Sequence, residues 1–297
     1  MTADERQVTL PNLPVSVTES VCTFDIAGEP TIGVASRAAV VGAVGVLIVV
    51  GGPQYRIGSH RQFVLLARSL AAAGVASFRF DLRGMGDAGG ARADFTELDA
   101  ELDAARMAFG RLVPELEGVV LVGLCDGASA ALLDAAATGA TAGLPVRGVV
   151  AINPWIRTQR SRAAAEVKHH YGRRFVSADF WRRLVSGQVA LGDAVGGFLR
   201  ACARVLLRPE HGDGVEYPER MAQGARALAG RVLWILSGQD LVAREFEQYA
   251  AASAAWRGLV DPAPGNVLRI DEADHTFSRE TWRTQVSEAI AGWVKRL

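Results

Sequence analysis

Three side chains able to run nucleophilic acyl chemistry each follow a short apolar run: Cys125, Asp240 and His275. Cys125 sits in Val119-Val120-Leu121-Val122-Gly123-Leu124-Cys125-Asp126-Gly127-Ala128-Ser129-Ala130, an aliphatic stretch cut by Gly-x-Cys-x-Gly and followed by small residues. That pattern predicts a buried strand, a sharp turn and a helix start. Glycines on either side of the turn remove Cβ atoms that would collide as a strand reverses into a helix. The thiol would then be presented at a helix N-terminus, where free N–H groups and the dipole favour an anion. His275 would take the thiol proton and return it to a leaving group, while Asp240 would fix the ring's tautomer and stabilise the imidazolium. A thiol so paired is a thiolate nucleophile. The chain order nucleophile, acid, base matches a known arrangement of such triads.

These residues have structural alternatives. Asp240 precedes Val242 closely enough to cap a helix there, a role compatible with catalysis. Asp274, beside His275, could replace Asp240 only in an unusual geometry. Asp126 reads as a first-turn helix acid whose backbone N–H matters rather than its carboxylate. That N–H is one expected oxyanion donor; the other should come from the loop Gly51-Gly52-Pro53-Gln54-Tyr55-Arg56. Pro53 has no N–H, which leaves Gln54 or Gly52. Gly52, Pro53, Tyr55, Trp155 and Tyr171 are expected to contact substrate. His60 and Arg61 would orient the loop or hold a substrate carboxylate or phosphate. His169, His170 and His211 have no comparable placement.

The elements that must position these groups alternate in type. Val15 to Ile26 and Thr31 to Ser36, joined by Ala27-Gly28-Glu29-Pro30, predict an antiparallel hairpin at a sheet edge. Val44–Val50, Val75–Phe80, the run before Cys125, Val146–Ile152, Arg231–Ser237 and Val267–Ile270 predict buried strands. Helices are expected near Phe63–Ala73, Phe95–Leu112 and Thr281–Val294. Such alternation implies right-handed crossovers and a mostly parallel, doubly wound sheet, with loops at the carboxyl ends of the strands meeting at one edge. Gly84-Met85-Gly86 is too short for a dinucleotide fingerprint.

Composition narrows the function classes. The 297 residues are 49% hydrophobic and carry 32 basic and 32 acidic side chains. Zero net charge argues against nucleic-acid binding. Cys22, Cys125 and Cys202 are odd in number and far apart, offering neither a disulfide framework nor zinc spacing, which points to a reducing compartment. No basic-then-apolar signal opens the sequence, and Ala38 to Val50 falls short of the roughly 20 residues of a membrane span. The expectation is a soluble cytoplasmic protein, monomer or homodimer, with no metal, nicotinamide or flavin.

The motifs GGPQYRIGSHRQF (Gly51 to Phe63), FRFDLRGMGD (Phe78 to Asp87), GLCDGASA (Gly123 to Ala130), NPW (Asn153 to Trp155), KHHYGRRFVSADFWRRLVSG (Lys168 to Gly187), LSGQDLVAREFE (Leu236 to Glu247) and ADHTFS (Ala273 to Ser278) resemble the α/β-hydrolase superfamily. The likeness falls near its serine aminopeptidase-like branch, with cysteine for serine. More narrowly, they are similar to the hydrolases of the first type associated with exosortase A systems. The resemblance implies an α/β-hydrolase fold with residues 1–155 and 231–297 as core and 156–230 as a helical cap insertion. It also implies a bacterial protein encoded beside exopolysaccharide and protein-sorting genes, but supplies no substrate.

Within 156–230, Arg157, Arg160, Arg162, Lys168, Arg173, Arg174, Arg182 and Arg183 face only Glu166 and Asp179 along the sequence between Arg157 and Arg183. Such a basic stretch suits an acyl-carrier protein, a coenzyme A nucleotide or an acidic glycan, or simply a solvated face. Trp155, Tyr171, Phe175, Phe180 and Trp181 would line an acyl pocket; core packing explains most of them equally well. The expected reaction is hydrolysis of an acyl thioester or ester, or acyl transfer, through a cysteine acyl-enzyme. Lactone or carbohydrate-ester cleavage and a non-catalytic partner-binding role are the alternatives.

Overall fold

The computed structural model describes residues 3–8, 15–137, 143–156, 216–260 and 266–297. All of them belong to one compact unit made of the chain up to Ile156 and from Glu216 onward. The whole basic stretch 157–183, with His169, His170, Tyr171, Phe175, Phe180 and Trp181, lies outside the described residues, as do Cys202 and His211.

Among the described residues, nine strands form one sheet in the order β1-β2-β3-β5-β4-β6-β7-β8-β9. They are β1 (Ala3–Val8), β2 (Val17–Ile26), β3 (Glu29–Arg37), β4 (Val44–Val49), β5 (Ser77–Phe80), β6 (Gly118–Leu124), β7 (Val146–Ile152), β8 (Val232–Ser237) and β9 (Val267–Ile270). The pairs β1/β2, β2/β3 and β3/β5 are antiparallel, and every other pair is parallel. The expected hairpin is therefore present as β2–β3, but it is not the outermost element. Strand β1 adds beyond it, with Asp4, Glu5 and Arg6 exposed. Charged side chains on an edge strand discourage pairing with other chains, and they also hide the strand from a reading based on apolar alternation.

Among the described residues, six longer helices cover the sheet: α1 (Gln62–Ala72), α2 (Asp99–Leu112), α3 (Asp126–Ala136), α4 (Tyr217–Ala227), α5 (Leu241–Ala252) and α6 (Glu280–Val294). Strand β6 is buried along its whole length, as a strand covered on both faces must be. One apolar cluster joins the sheet to residues of α2, α3, α4 and α5, among them Leu102, Phe109, Leu132, Met221 and Phe246. A second gathers Phe63, Ala67 and Leu70 of α1 and Val286, Ile290 and Trp293 of α6 over the other face. Strand β4 lies between β5 and β6, so the chain order reverses there and the loops after β4 and β6 border one crevice. That switch point is where doubly wound sheets bind ligands.

Helix α4, inside the stretch 156–230, packs closely on α3. A Cβ added at Gly224 would lie 1.9 Å from the Leu132 carbonyl oxygen. Gly224→Ala must push the two helices apart, and overpacking of this kind costs about 1–3 kcal/mol. A lowered urea midpoint with unchanged slope is the expected result.

Candidate functional site

The turn after β6 is built by close packing. A Cβ at Gly123 would sit 2.3 Å from the Gly127 carbonyl carbon, and one at Gly127 would sit 2.4 Å from the Val49 carbonyl oxygen. Neither glycine tolerates a side chain. Between them Cys125 has φ 61° and ψ −125°, a sparsely populated conformation that non-glycine residues keep only when their surroundings enforce it. The enforcement is visible. Cys125 N–H donates to the Ile152 carbonyl at 3.0 Å, and the Cys125 carbonyl accepts from Ala128, Ser129 and Trp155 N–H groups at 3.1–3.2 Å. Ser129 Oγ donates to the Trp155 carbonyl at 2.7 Å, tying the helix start to the end of β7.

Asp240 and His275 arrive from the neighbouring strands. Asp240 caps α5, accepting from Val242 N–H at 3.1 Å and Ala243 N–H at 3.3 Å. Its Oδ2 also lies 2.7 Å from His275 Nδ1. The cap and the histidine partner are thus the same carboxylate. Burial pushes the Asp240 carboxyl up, but His275 and the two backbone N–H groups outweigh it and hold it below its ordinary value. The His275 imidazole is pushed up to about 10 by the Asp240 hydrogen bond first and the Cys125 thiol second, against burial. With Nδ1 committed to Asp240, Nε2 is the ring nitrogen left for the thiol. His275 and Asp240 are therefore a bonded pair, with His275 one-third exposed and Asp240 buried.

Asp274 has other work. It accepts from Thr276 and Ser278 N–H, both at 3.1 Å, and shapes the loop that carries His275. Asn153, which sequence reading treats only as the end of a strand, is fully buried. Its Nδ2 donates to Ser237 Oγ at 2.7 Å and to the His275 carbonyl at 3.2 Å, and its Oδ1 accepts from Ser237 N–H at 2.9 Å. One amide thus fixes the ends of β7 and β8 and the histidine loop. The sequence signal was available: a polar residue directly after an apolar strand, with serine at the matching end of the next.

The Asp126 carboxylate departs from the sequence expectation. It accepts from Gly52 N–H at 2.6 Å and from Gly127 N–H at 3.1 Å, so it bridges the elbow to the loop after β4. Burial raises its carboxyl above the ordinary value despite these donors. Gly52 N–H is thereby occupied and Pro53 has none, which leaves Gln54 N–H as the loop's candidate partner for Asp126 N–H. Gln54 Oε1 accepts from Ser59 N–H at 3.1 Å, closing the loop on itself. Arg56 anchors its far side: its side chain pairs with buried Asp81 and with Asp87, and its N–H donates to Asp81 Oδ1 at 2.7 Å. Asp81 and Arg56 were not singled out from sequence, although both fall in quoted motifs.

Displacing the loop by an ångström is enough to cost about 100-fold in rate. Asp126→Ala is expected to lower kcat by roughly 10- to 100-fold with a smaller change in KM. Asp126→Asn, which keeps an acceptor for Gly52, should restore most of it; steady-state kinetics on both variants checks this.

The remaining expected contacts are spread out. Pro53, Tyr55, His60 and Arg61 are exposed along the loop and the turn into α1, with His60 and Arg61 in left-handed backbone. Half-buried Trp155 stacks on Tyr217 at 6.3 Å and meets Phe95 edge-on at 5.3 Å, an aromatic wall beside the elbow. Among the described residues no cluster of three His, Cys, Asp or Glu could hold a metal ion. None of their helices is long and apolar enough to cross a membrane.

Residues 46–289 match the alpha/beta hydrolase family. The chain belongs to that family. This α/β-hydrolase is similar in structure to the Pyrococcus furiosus esterase Pf2001 (TM-score 0.60, 14% identity, covering 94% of this chain and 90% of that one). It is also similar to the hypothetical protein PA2218 from Pseudomonas aeruginosa (TM-score 0.57, 18% identity, 98% and 99% covered). A third likeness is to the dienelactone hydrolase from Anabaena variabilis (TM-score 0.56, 16% identity, 94% and 97% covered). At these identities the likeness concerns the fold. No curated protein matches the sequence.

Proposed function

We propose that this α/β-hydrolase cleaves acyl thioesters or esters through a covalent Cys125 acyl-enzyme, with His275 as base and acid and Asp240 as its orienting partner. The observation that carries the reading is the 2.7 Å bond between His275 Nδ1 and Asp240 Oδ2, with the Cys125 thiol among the groups that raise the same imidazole. In the forward step Sγ attacks the carbonyl carbon, and the thiol proton resides on His275. The oxyanion would be met by the N–H groups of Asp126 and Gln54, and the departing thiol or alcohol takes the proton from His275. Water, its proton accepted by His275, then attacks the acyl-enzyme and releases the acid.

Cysteine favours thioester donors. A cysteine thioester is close in energy to the thioester it came from, whereas a serine ester lies lower. The acyl-enzyme therefore also retains the drive to acylate an alcohol or amine, which makes acyl transfer the finer form of the proposal. The basic stretch in 157–183 is the proposed dock for a carrier-protein or coenzyme A conjugate. The quoted motifs support placement in the exosortase-associated branch, and a working free thiol suits the cytoplasm.

Intact-protein mass spectrometry against a panel of acyl-coenzyme A and acyl-carrier thioesters tests the reading. Wild type should gain the acyl mass and Cys125→Ala should not. No adduct and no turnover, together with a Cys125 no more reactive to iodoacetamide than Cys22, would leave a non-catalytic binding role.

A further inference from the structure

Asp240 orients the His275 ring through one bond, but the backbone that carries the ring is held from the end of β7. Asn153 leaves that strand with a left-handed φ of 44°, a conformation asparagine visits more readily than most residues. Its N–H donates to the Ile235 carbonyl at 2.9 Å, and its side chain is fully buried. The two hydrogens on Nδ2 go to Ser237 Oγ at 2.7 Å and to the His275 carbonyl at 3.2 Å. Ser237 Oγ in turn donates to the Asp274 carbonyl at 3.0 Å. Two successive carbonyls of the histidine loop are therefore fixed by one buried amide and its serine partner. Two residues further on, Trp155 N–H donates to the Cys125 carbonyl at 3.2 Å. The corner Asn153-Pro154-Trp155 grips the backbone of the nucleophile at one end and the backbone of the base at the other.

We propose that Asn153 is a positioning residue, whose amide sets the place of His275 relative to Asp240 and Cys125. The inference rests on the reading of those three residues as a catalytic set and adds a fourth that touches no reacting atom. The loop's other links do not replace it. The Asp274 side chain bonds Thr276 and Ser278, inside the loop itself, and Gln239 N–H holds the Ala273 carbonyl at 3.0 Å, at the loop's start. The role demands an amide. Oδ1 accepts from Ser237 N–H at 2.9 Å while Nδ2 supplies two donors; a neutral carboxyl has one O–H and an ionised one has none. Proton transfer and attack need the reacting groups placed to within a fraction of an ångström, and a displacement of about 1 Å costs about 100-fold in rate.

Two variants of the full chain separate placement from packing. Asn153→Gly removes the amide and keeps the left-handed backbone accessible. Asn153→Asp keeps the shape and loses at least one donor. Both should lower kcat on an acyl thioester by about 100-fold with little change in KM. In proton NMR, the downfield resonance of the His275 Nδ1–H bonded to Asp240, assigned by its absence from His275→Ala, should shift or broaden in both. Ser237→Ala, which frees the Asp274 carbonyl, should show the same pattern to a smaller extent and serves if Asn153→Gly does not fold. A wild-type kcat and an unmoved resonance in Asn153→Asp would overturn the proposal, even with a lowered urea midpoint, because the amide would then only fill space. Failure of the acyl-enzyme reading looks different: wild type gains no acyl group, yet the resonance still depends on Asn153. The placement of His275 by Asn153 would survive that result.

Discussion

His275→Ala is expected to lower kcat/KM on thioester substrates by about 10⁴-fold or more, the scale seen when one member of a catalytic triad is removed. Two further readouts separate this from a general structural defect. With the imidazole held charged up to about pH 10 by Asp240 and Cys125, the wild-type thiol faces a cation throughout the neutral range. Iodoacetamide labelling of Cys125 at neutral pH should therefore be slower in the variant than in wild type. Stability follows the same groups. A histidine whose folded value is raised from 6.5 to about 10 adds stability that is complete below 6.5 and lost as the pH climbs through about 10. Asp240, held below 3.8, adds stability present above that value and lost as the pH falls through its lowered value. The urea midpoints of wild type and His275→Ala should differ most between pH 3.8 and 6.5, draw together as the pH rises from there, and converge above about pH 10. A uniform difference at every pH would contradict the pairing.

Asp240→Asn is expected to lower kcat by roughly 10³- to 10⁴-fold, because an amide can present its N–H to Nδ1 and stabilise the wrong tautomer. The dual role of Asp240 makes this substitution informative. Asparagine is as good a helix cap as aspartate, so α5 should keep its start, and the fall in melting temperature should reflect only the lost pairing with His275. Asp240→Ala removes both functions, and loss of the cap adds about 1 kcal/mol of destabilisation. Full activity in Asp240→Asn would reduce the residue to a cap and reopen the identity of the acid.

Most of the parallel sheet is legible in the sequence because buried strands are uninterrupted aliphatic runs ending in glycine, asparagine or aspartate. Val146–Ile152 and Val267–Ile270 fall on β7 and β9 as expected. Helix α2 starts at Asp99 rather than near Phe95, since the Asp94 side chain caps a turn through Thr96 and holds the chain out of the helix. Strand β1 escaped notice because an edge strand with charged side chains has no apolar face to announce it. In the site, residue types and their places at strand ends were enough to nominate Cys125, Asp240 and His275. What sequence does not display is which side chains meet across the sheet edge. The Asp126 carboxylate on Gly52, the Asn153 amide on the histidine loop and the Arg56–Asp81 pair are all contacts between distant segments. Each replaces a guess about one residue with a statement about two.

The bond from Asn153 to the His275 carbonyl spans 122 positions, and His275 enters the site only after β8 and β9 have added to β7. Chains fold from the N-terminal end as they are synthesised. The nucleophile's strand, its turn and its helix can therefore be in place while the base is still on the ribosome. Until the last strand docks, Cys125 has no histidine beside it. On the proposed mechanism a nascent or half-folded molecule would not trap an acyl group from the surrounding pool of thioesters, and reactivity would come only with the closing step of assembly. Labelling at Cys125 during refolding would time that step directly.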